Sequence, residues 1–138
     1  MRLWHTELIS VLPREQLVAQ WRELSAIAGA IQKNGTPNHL LVNFVLDYDF
    51  DHFISYASFV RAEMTRRGYR TMNNVMDKIK TLKPDFNYLS LDEIYPNKMN
   101  KSYATICWFN LYEKFLCGGI SKEDWKKIEK VVEVYDYD

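Results

Sequence analysis

The stretch after Pro13 carries the pattern that most constrains the fold. Apolar residues recur there with a helical period of 3.6, at Leu17, Trp21, Leu24, Ile27 or Ala28, and Ile31. Pro13 suits the first position of a helix, and Gly35 suits the position just beyond its end. The pattern therefore predicts one helix from about Pro13 to about Lys33, which is long for a small domain.

Similar patterns fill most of the remaining chain. Asp49 or Asp51 is predicted to cap a second helix that ends at Gly68, and Ser121 with Asp124 is predicted to form a capping box for the last helix. These further helices are predicted over about residues 49–68, 72–82, 102–116 and 121–134.

Together the patterns predict a single all-α domain over residues 1–138, with about four to five helices. A chain of 138 residues with 47% hydrophobic and 14% aromatic residues can bury a core of its own. Residues 39–46 (HLLVNFVL) are almost uniformly apolar, so they could form a buried strand or a turn of core helix, and periodicity does not decide between them. Residues 85–98 are predicted to be an irregular connection.

Two features of the sequence bear on the cellular location of the protein. No apolar run approaches the length of a transmembrane helix, and the first residues lack the apolar core of a signal peptide. Cys107 and Cys117 are ten residues apart in one predicted helix, which corresponds to about 15 Å along its axis and is too far for a disulfide. We therefore expect reduced thiols, a cytoplasmic location and no membrane association.

The usual enzyme and metal motifs are missing from the sequence. The three histidines have no metal-ligand spacing. The segment DYDFDH begins like a calcium loop, but His52 and Ser58 occupy the positions that need Gly and Glu. Glycine-rich phosphate loops and nucleophile motifs are also lacking. We expect neither a metal nor a cofactor.

The charges are balanced overall but unevenly distributed. The chain has 18 basic and 18 acidic residues. Residues 61–83 carry seven basic and two acidic side chains, a local net charge of +5. This segment is either a solvated helix face or a phosphate-facing patch on an otherwise neutral protein.

The N-terminal third carries a more specific signal. The residues concerned are Leu8, Ser10, Leu12, Leu17, Ala19, Arg22-Glu23-Leu24, Gly29-Ala30 and Lys33. Through them, residues 1–33 resemble the pyrimidine-dimer DNA glycosylase family, that of endonuclease V, without gaps. A looser match continues to the segment RRGY at residues 66–69.

The resemblance implies an endonuclease V-like all-α fold and an activity on damaged double-stranded DNA. Members of the family excise a damaged base and then cut the strand by β-elimination. Their nucleophile is the α-amine of the chain, and a glutamate on the first helix assists it; the matching residue here is Glu23. An α-amine suits this role because its usual pKa of about 7.7–8.0 leaves part of it neutral near pH 7.

The resemblance also implies other site residues. Since Arg2 follows the initiator and discourages its removal, the reacting amine is predicted to be that of Met1, or of Arg2 if Met1 is cleaved. His5 lies near the amine in sequence and is a candidate acid or base. The predicted nucleic-acid contacts are Arg14, Gln16, Arg22, Arg66 and Arg67.

The sequence departs from the family pattern at two positions of the first helix. Gln16 and Ala26 stand where the phage member of the family has a histidine and a DNA-contacting arginine. An alternative is therefore a non-catalytic helical module that binds nucleic acid or a protein partner. A third possibility is that the same amine acts on another glycosidic or carbonyl-like substrate.

Overall fold

The computed structural model describes residues 1–133. Their regular secondary structure is entirely helical, as predicted, and no strand occurs among them. Its α-helices are α1 (Arg14–Asn34), α2 (Phe50–Arg66), α3 (Asn73–Lys80), α4 (Lys101–Leu116) and α5 (Lys122–Glu133). Short 3₁₀ helices span Thr6–Val11, Asn43–Asp47 and Leu91–Glu93. The predicted end of the last helix at Val134 lies outside the described residues.

Helix α1 is the central element and packs against both α2 and α3. Its apolar stripe is buried as the periodicity predicted, with Leu17, Leu24 and Ala28 fully enclosed. Gly35 ends the helix with a left-handed φ of 76°, and its N–H donates to the Ile31 carbonyl at 2.8 Å. Glycine adopts this left-handed conformation without the strain that a side chain would cause, so the chain can leave the helix at this residue.

The structure decides which aspartate caps α2 and which conformation the apolar run before it adopts. Asp49 is the cap, because its carboxylate accepts a hydrogen bond from the Asp51 N–H at 2.9 Å. The preceding apolar run at residues 39–46 is neither a strand nor an α-helix. It forms a tight turn followed by a 3₁₀ helix, which buries Val42 and Val45 and leaves Leu40 and Leu41 exposed.

The C-terminal helices form the other side of the core. Helix α5 packs on α4 and on the first 3₁₀ helix. Stacked aromatic rings join α4 to α5, and those of Phe115 and Trp125 are nearly parallel at 5.1 Å. Cys107 is buried and Cys117 is exposed, and both are free thiols as predicted. The connection before α4 is largely irregular as predicted, although it contains the third 3₁₀ helix.

Candidate functional site

Three side chains from three helices hold the backbone of the N-terminal segment (residues 1–5). Their acceptors are the consecutive carbonyl oxygens of Arg2, Leu3 and Trp4. Gln20 of α1 donates to the first at 3.0 Å, Tyr103 of α4 to the second, and Tyr56 of α2 to the third at 2.6 Å. Breaking any of these bonds would leave buried polar groups unpaired, so the segment has a fixed path across the core.

Gln20 connects this segment to Glu23. Its Oε1 accepts a hydrogen bond from the Trp4 N–H at 2.8 Å, and its Nε2 donates to the Arg2 carbonyl and to Glu23 Oε2, the latter at 3.3 Å. The side chain is fully buried. Gln20 is not among the residues predicted from the sequence, although a glutamine on the apolar stripe of α1 indicates buried hydrogen-bond partners.

Met1 and Glu23 line one open cleft of about 480 Å³, called here the N-terminal cleft. Its other walls include Arg2, Trp4, Leu41 and Lys114. The structure thus brings together the start of the chain and the glutamate that the sequence singled out. Lys114 and the cleft residues Asn110 and Glu113 come from α4, far away in sequence, and had not been predicted.

Several charges act on the Glu23 carboxyl. Burial raises its pKa, while the N-terminal ammonium, His39 and Lys114 act in the opposite direction. The net effect is a pKa above the ordinary glutamate value. A carboxyl with a raised pKa can both accept and return a proton closer to neutral pH.

Arg2 lines the N-terminal cleft, and its side chain also interacts with neighbouring residues of the protein. Its guanidinium lies 5.7 Å from the centre of the Trp4 ring. Its charge also acts on Tyr103 and Cys107, where it opposes the rise in pKa that burial causes in both. Arg2 therefore helps to anchor the N-terminal segment.

His5 is placed away from the N-terminal cleft. It is buried, and its Nδ1 accepts a hydrogen bond from the Glu7 N–H at 3.2 Å, which caps the first 3₁₀ helix. Burial lowers its pKa, against the raising influence of Glu7 and of the Met99 and Asn100 carbonyls. Its side chain lines a different cleft, beside Leu91.

The predicted nucleic-acid contacts fall into three environments. Arg22 is exposed on α1, next to Glu23. Gln16 is buried, and its Oε1 has no hydrogen-bond partner among the described residues. The remaining three contacts line a second cleft of about 520 Å³ together with Lys127, called here the arginine cleft, and they are Arg14, Arg66 and Arg67.

The adjacent residues Arg66 and Arg67 differ in their surroundings. Both form ion pairs with Glu63, whose carboxylate lies 2.7 Å from Arg67 Nε. Burial would raise the pKa of Glu63, but hydrogen bonds from the two arginines hold it below its ordinary value. Arg67 also donates to the carbonyls of Leu12, at 2.7 Å, and Ser10, at 3.1 Å. Its side chain is 18% exposed against 66% for Arg66, so Arg67 mainly ties α2 to the first 3₁₀ helix.

Part of the basic segment 61–83 is paired within the protein. Lys83 forms ion pairs with Asp49 at 2.9 Å and with Asp51 at 3.1 Å. Arg61 donates to Thr71 and Asn73. The net charge of +5 therefore overstates the positive surface that this segment offers to a ligand.

No cluster of three His, Cys, Asp or Glu residues among the described residues could hold a metal ion. None of the helices in the described part of the chain is long and apolar enough to cross a membrane.

The fold and the cleft define an all-α protein that places the start of its chain beside a helix-borne glutamate. Residues 1–77 match the family model described as pyrimidine dimer DNA glycosylase. This match covers more than half of the 138 residues, and the chain belongs to that family. The match includes Gln20, Glu23 and Tyr56, and it confirms the resemblance found in the N-terminal third. No curated protein and no solved structure matches the chain.

Proposed function

We propose that the protein excises pyrimidine-dimer-type damaged bases from double-stranded DNA and cleaves the resulting abasic site. The observation that carries this proposal is the shared cleft of Met1 and Glu23. Three hydrogen bonds from side chains of the core fix the backbone of the N-terminal segment, and they would hold the amine in place before the substrate arrives. Such preorganisation favours attack by a positioned group.

The chemistry follows from these two groups. The neutral α-amine attacks C1′ of the damaged nucleotide and forms a C1′–N bond while the glycosidic bond breaks. The base leaves with the bonding electron pair and takes a proton from the attacking nitrogen. The C1′–O4′ bond then breaks as O4′ takes a proton from water, and the nitrogen lone pair forms a cationic imine, which the Glu23 carboxylate stabilises. Glu23 then accepts the C2′ proton, and the C3′–O bond breaks by β-elimination.

The identity of the reacting amine depends on processing of the chain. With Met1 retained, the reacting amine belongs to the residue that lines the cleft with Glu23. With Met1 removed, Arg2 supplies the amine. In both cases the hydrogen bond from Gln20 to the Arg2 carbonyl keeps that amine near the carboxylate.

DNA contacts are proposed along α1. Arg22 lies beside Glu23, whereas Arg14 lies in the arginine cleft with the exposed Arg66. Arg14 and Glu23 are nine residues apart, or about 13 Å along the helix axis. That distance corresponds to about four base pairs of duplex DNA, so the arginine cleft suits a phosphate flanking the lesion.

One observation favours the alternative of a non-catalytic module with a protein partner. Helix α4 exposes three large apolar side chains, at Ile106, Phe109 and Leu116. Exposed apolar surface of this kind occurs at protein–protein interfaces. Under this alternative the N-terminal amine would form no covalent intermediate with DNA.

Reductive trapping distinguishes the two functions. Borohydride reduces an imine to a stable bond, so the protein would be incubated with duplex DNA that carries a pyrimidine dimer or an abasic site, reduced, and mapped by mass spectrometry. We expect a link to the N-terminal residue. An adduct on an internal lysine, or no adduct from folded protein with a free amine, would contradict the proposal.

Glu23→Gln provides the matched variant, because it keeps the shape of the side chain and removes its charge. We expect it to retain some imine formation and to slow base release and elimination by about 10²-fold or more. The control is Glu15→Gln, a change at an exposed glutamate on the same helix. It should react at the wild-type rate.

A further inference from the structure

A groove of about 500 Å³ lies between α2 and α3, and it is called here the α2–α3 groove. It shares no lining residue with the N-terminal cleft. Ala62 of α2 and the buried Met76 of α3 give it an apolar lining, while Arg61 and Lys80 add positive charge. This combination suits an anion that carries an apolar or aromatic body.

The guanidinium of Arg61 is held in place, but its charge is not neutralised. Its Nε donates to the Thr71 hydroxyl at 2.9 Å, and its Nη2 donates to the Asn73 side chain. Both acceptors are neutral, and no carboxylate within residues 1–133 forms an ion pair with Arg61. Within the same residues its Nη1 has no hydrogen-bond partner, whereas Arg66, which also lines the groove, is paired with Glu63. A guanidinium fixed in one orientation with free N–H donors suits a phosphate.

A lysine and an exposed aromatic ring lie at the other end of the groove. Lys80 also forms no ion pair with any carboxylate that the structure describes, and its ammonium lies 5.9 Å from the centre of the Phe86 ring. Tyr88 is 62% exposed, and its ring contacts that of Phe86 edge to face at 4.8 Å. This contact supports the Tyr88 ring and leaves it accessible, so that a planar ligand can stack on it.

The length of the groove fits one nucleotide. Arg61 bonds to Asn73, the first residue of α3, and Lys80 is the last residue of that helix. About 10 Å of helix therefore separates the two ends. A single nucleoside monophosphate has a comparable length, with its phosphate at one end and its base at the other.

Acidic residues border the groove at the Tyr88 end. The N–H of the residue before Tyr88 donates to the Asp51 carboxylate at 2.9 Å, and Asp85 is exposed three positions before Tyr88. Lys83 pairs with Asp49 and Asp51, so the carboxylates outnumber the ammonium here. A nucleic-acid strand that continued past Tyr88 would bring its phosphates toward these carboxylates, at an electrostatic cost. The charge distribution therefore favours a single nucleotide over a longer strand.

We propose that the α2–α3 groove binds a free nucleoside 5′-monophosphate, with its phosphate on Arg61 and its base on Tyr88. The ammonium of Lys80 donates a hydrogen bond to an acceptor of the base, and every base offers one. The apolar lining contacts the sugar. This site goes beyond the proposed function and does not depend on it, because its binding requires neither DNA nor an imine.

The binding test follows the amide signals of the full chain by ¹H–¹⁵N NMR during titration with each deoxynucleoside 5′-monophosphate in turn. We expect shifts at Arg61, Lys80 and Tyr88. The matching nucleosides, which lack the phosphate, should bind about tenfold more weakly or worse. Equal binding of inorganic phosphate would reveal an adventitious ion only, and tighter binding of a short oligonucleotide would reveal a site for a strand. Either result would overturn the proposal, as would the absence of shifts at the groove.

The aromatic end is tested by comparing Tyr88→Ala with Phe109→Ala. Phe109 is the matched control, because it is also aromatic, is 52% exposed and lies on α4, outside the groove. We expect Tyr88→Ala to weaken binding of the monophosphate by about fivefold or more, the effect of losing one base–aromatic stack. Phe109→Ala should match wild type, and Tyr88→Phe, which keeps the ring, should stay within about twofold of it. Equal affinities for Tyr88→Ala and Phe109→Ala would contradict the proposed position of the base.

The cationic residues are tested with Arg61→Gln and Lys80→Gln, and Lys126→Gln is the control at an exposed lysine of α5. Each groove variant should weaken binding by about fivefold or more, whereas the control should not. Because Arg61 also bonds to Thr71, unfolding curves are measured for its variant. The Lys80 side chain has no hydrogen bond to the described residues, so Lys80→Gln should fold as wild type does. Wild-type affinity in Lys80→Gln would overturn the proposed site.

Discussion

Gln20 and Glu23 are joined by a hydrogen bond of 3.3 Å between Nε2 and Oε2, and the same Nε2 donates to the Arg2 carbonyl at 3.0 Å. One buried amide therefore sets the positions of both the carboxylate and the backbone that carries the amine. The two groups proposed to react come from segments that are some twenty residues apart, and this side chain is their direct link.

Replacing Gln20 by Ala should destabilise the protein as well as impair its activity. The substitution leaves the Trp4 N–H and the Arg2 carbonyl without partners, and each unpaired buried group costs about 1–3 kcal/mol. We expect a loss of about 2–4 kcal/mol in the free energy of unfolding, measured in denaturant. Lys33→Ala is the control, because Lys33 is an exposed residue of the same helix, and it should cost under about 1 kcal/mol. Equal losses for the two variants would contradict the role of Gln20.

The ion pairs of Glu63 should make stability depend on pH. Arg66 and Arg67 lower its pKa in the folded state, so its contribution is present above the unfolded value of about 4.3 and is lost as the pH falls through the folded value. Glu63→Gln should therefore lower the free energy of unfolding at pH 7 and have less effect at pH 3. The measurement is denaturant unfolding at both values, with Glu15→Gln as the exposed control. A difference that does not change with pH would exclude this linkage.

The sequence predicted those features that depend on neighbouring residues. The span of α1 follows from its apolar period and from Gly35, and the cap at Asp49 acts only two residues away. The sequence did not decide the secondary structure of residues 39–46, because a uniformly apolar run has no periodicity. Its outcome as a turn depends on hydrogen bonds between His39 and Asn43 that use side-chain atoms as well as the backbone.

The parts of the site that depend on distant residues could not be predicted. Tyr103 bonds to the Leu3 carbonyl across 100 positions in the sequence, and Lys114 reaches the cleft from α4. Nor could the sequence show which of two adjacent arginines faces inward. Arg66 and Arg67 were both predicted to contact phosphates, and that role remains a prediction for both, although the structure gives Arg67 two backbone partners.

The pKa of Glu23 should respond to the charge at the N-terminus. Burial raises it and the N-terminal ammonium lowers it, so acetylation of the amine should raise it further. Titration of the Glu23 side-chain carboxyl by ¹³C NMR, in free and acetylated protein, measures this shift. Glu63 is the control, because its pKa is set by burial and by Arg66 and Arg67, and it should be the same in both samples. No shift at Glu23 would mean that the amine and the carboxylate do not interact in solution.

Salt dependence of DNA binding should separate Arg66 from Arg67. Each phosphate contact contributes about 0.9 to the slope of log affinity against log salt, so Arg66→Ala should reduce the slope by about one. Arg67→Ala removes the donor to the Ser10 and Leu12 carbonyls, and we expect it chiefly to lower the free energy of unfolding, by about 1–3 kcal/mol. Fluorescence anisotropy of a damaged duplex at several salt concentrations, with unfolding curves for each variant, measures both effects. If Arg67→Ala changed the slope and Arg66→Ala did not, the inward residue would be the phosphate contact, and the assignment of Arg66 to the DNA surface would be wrong.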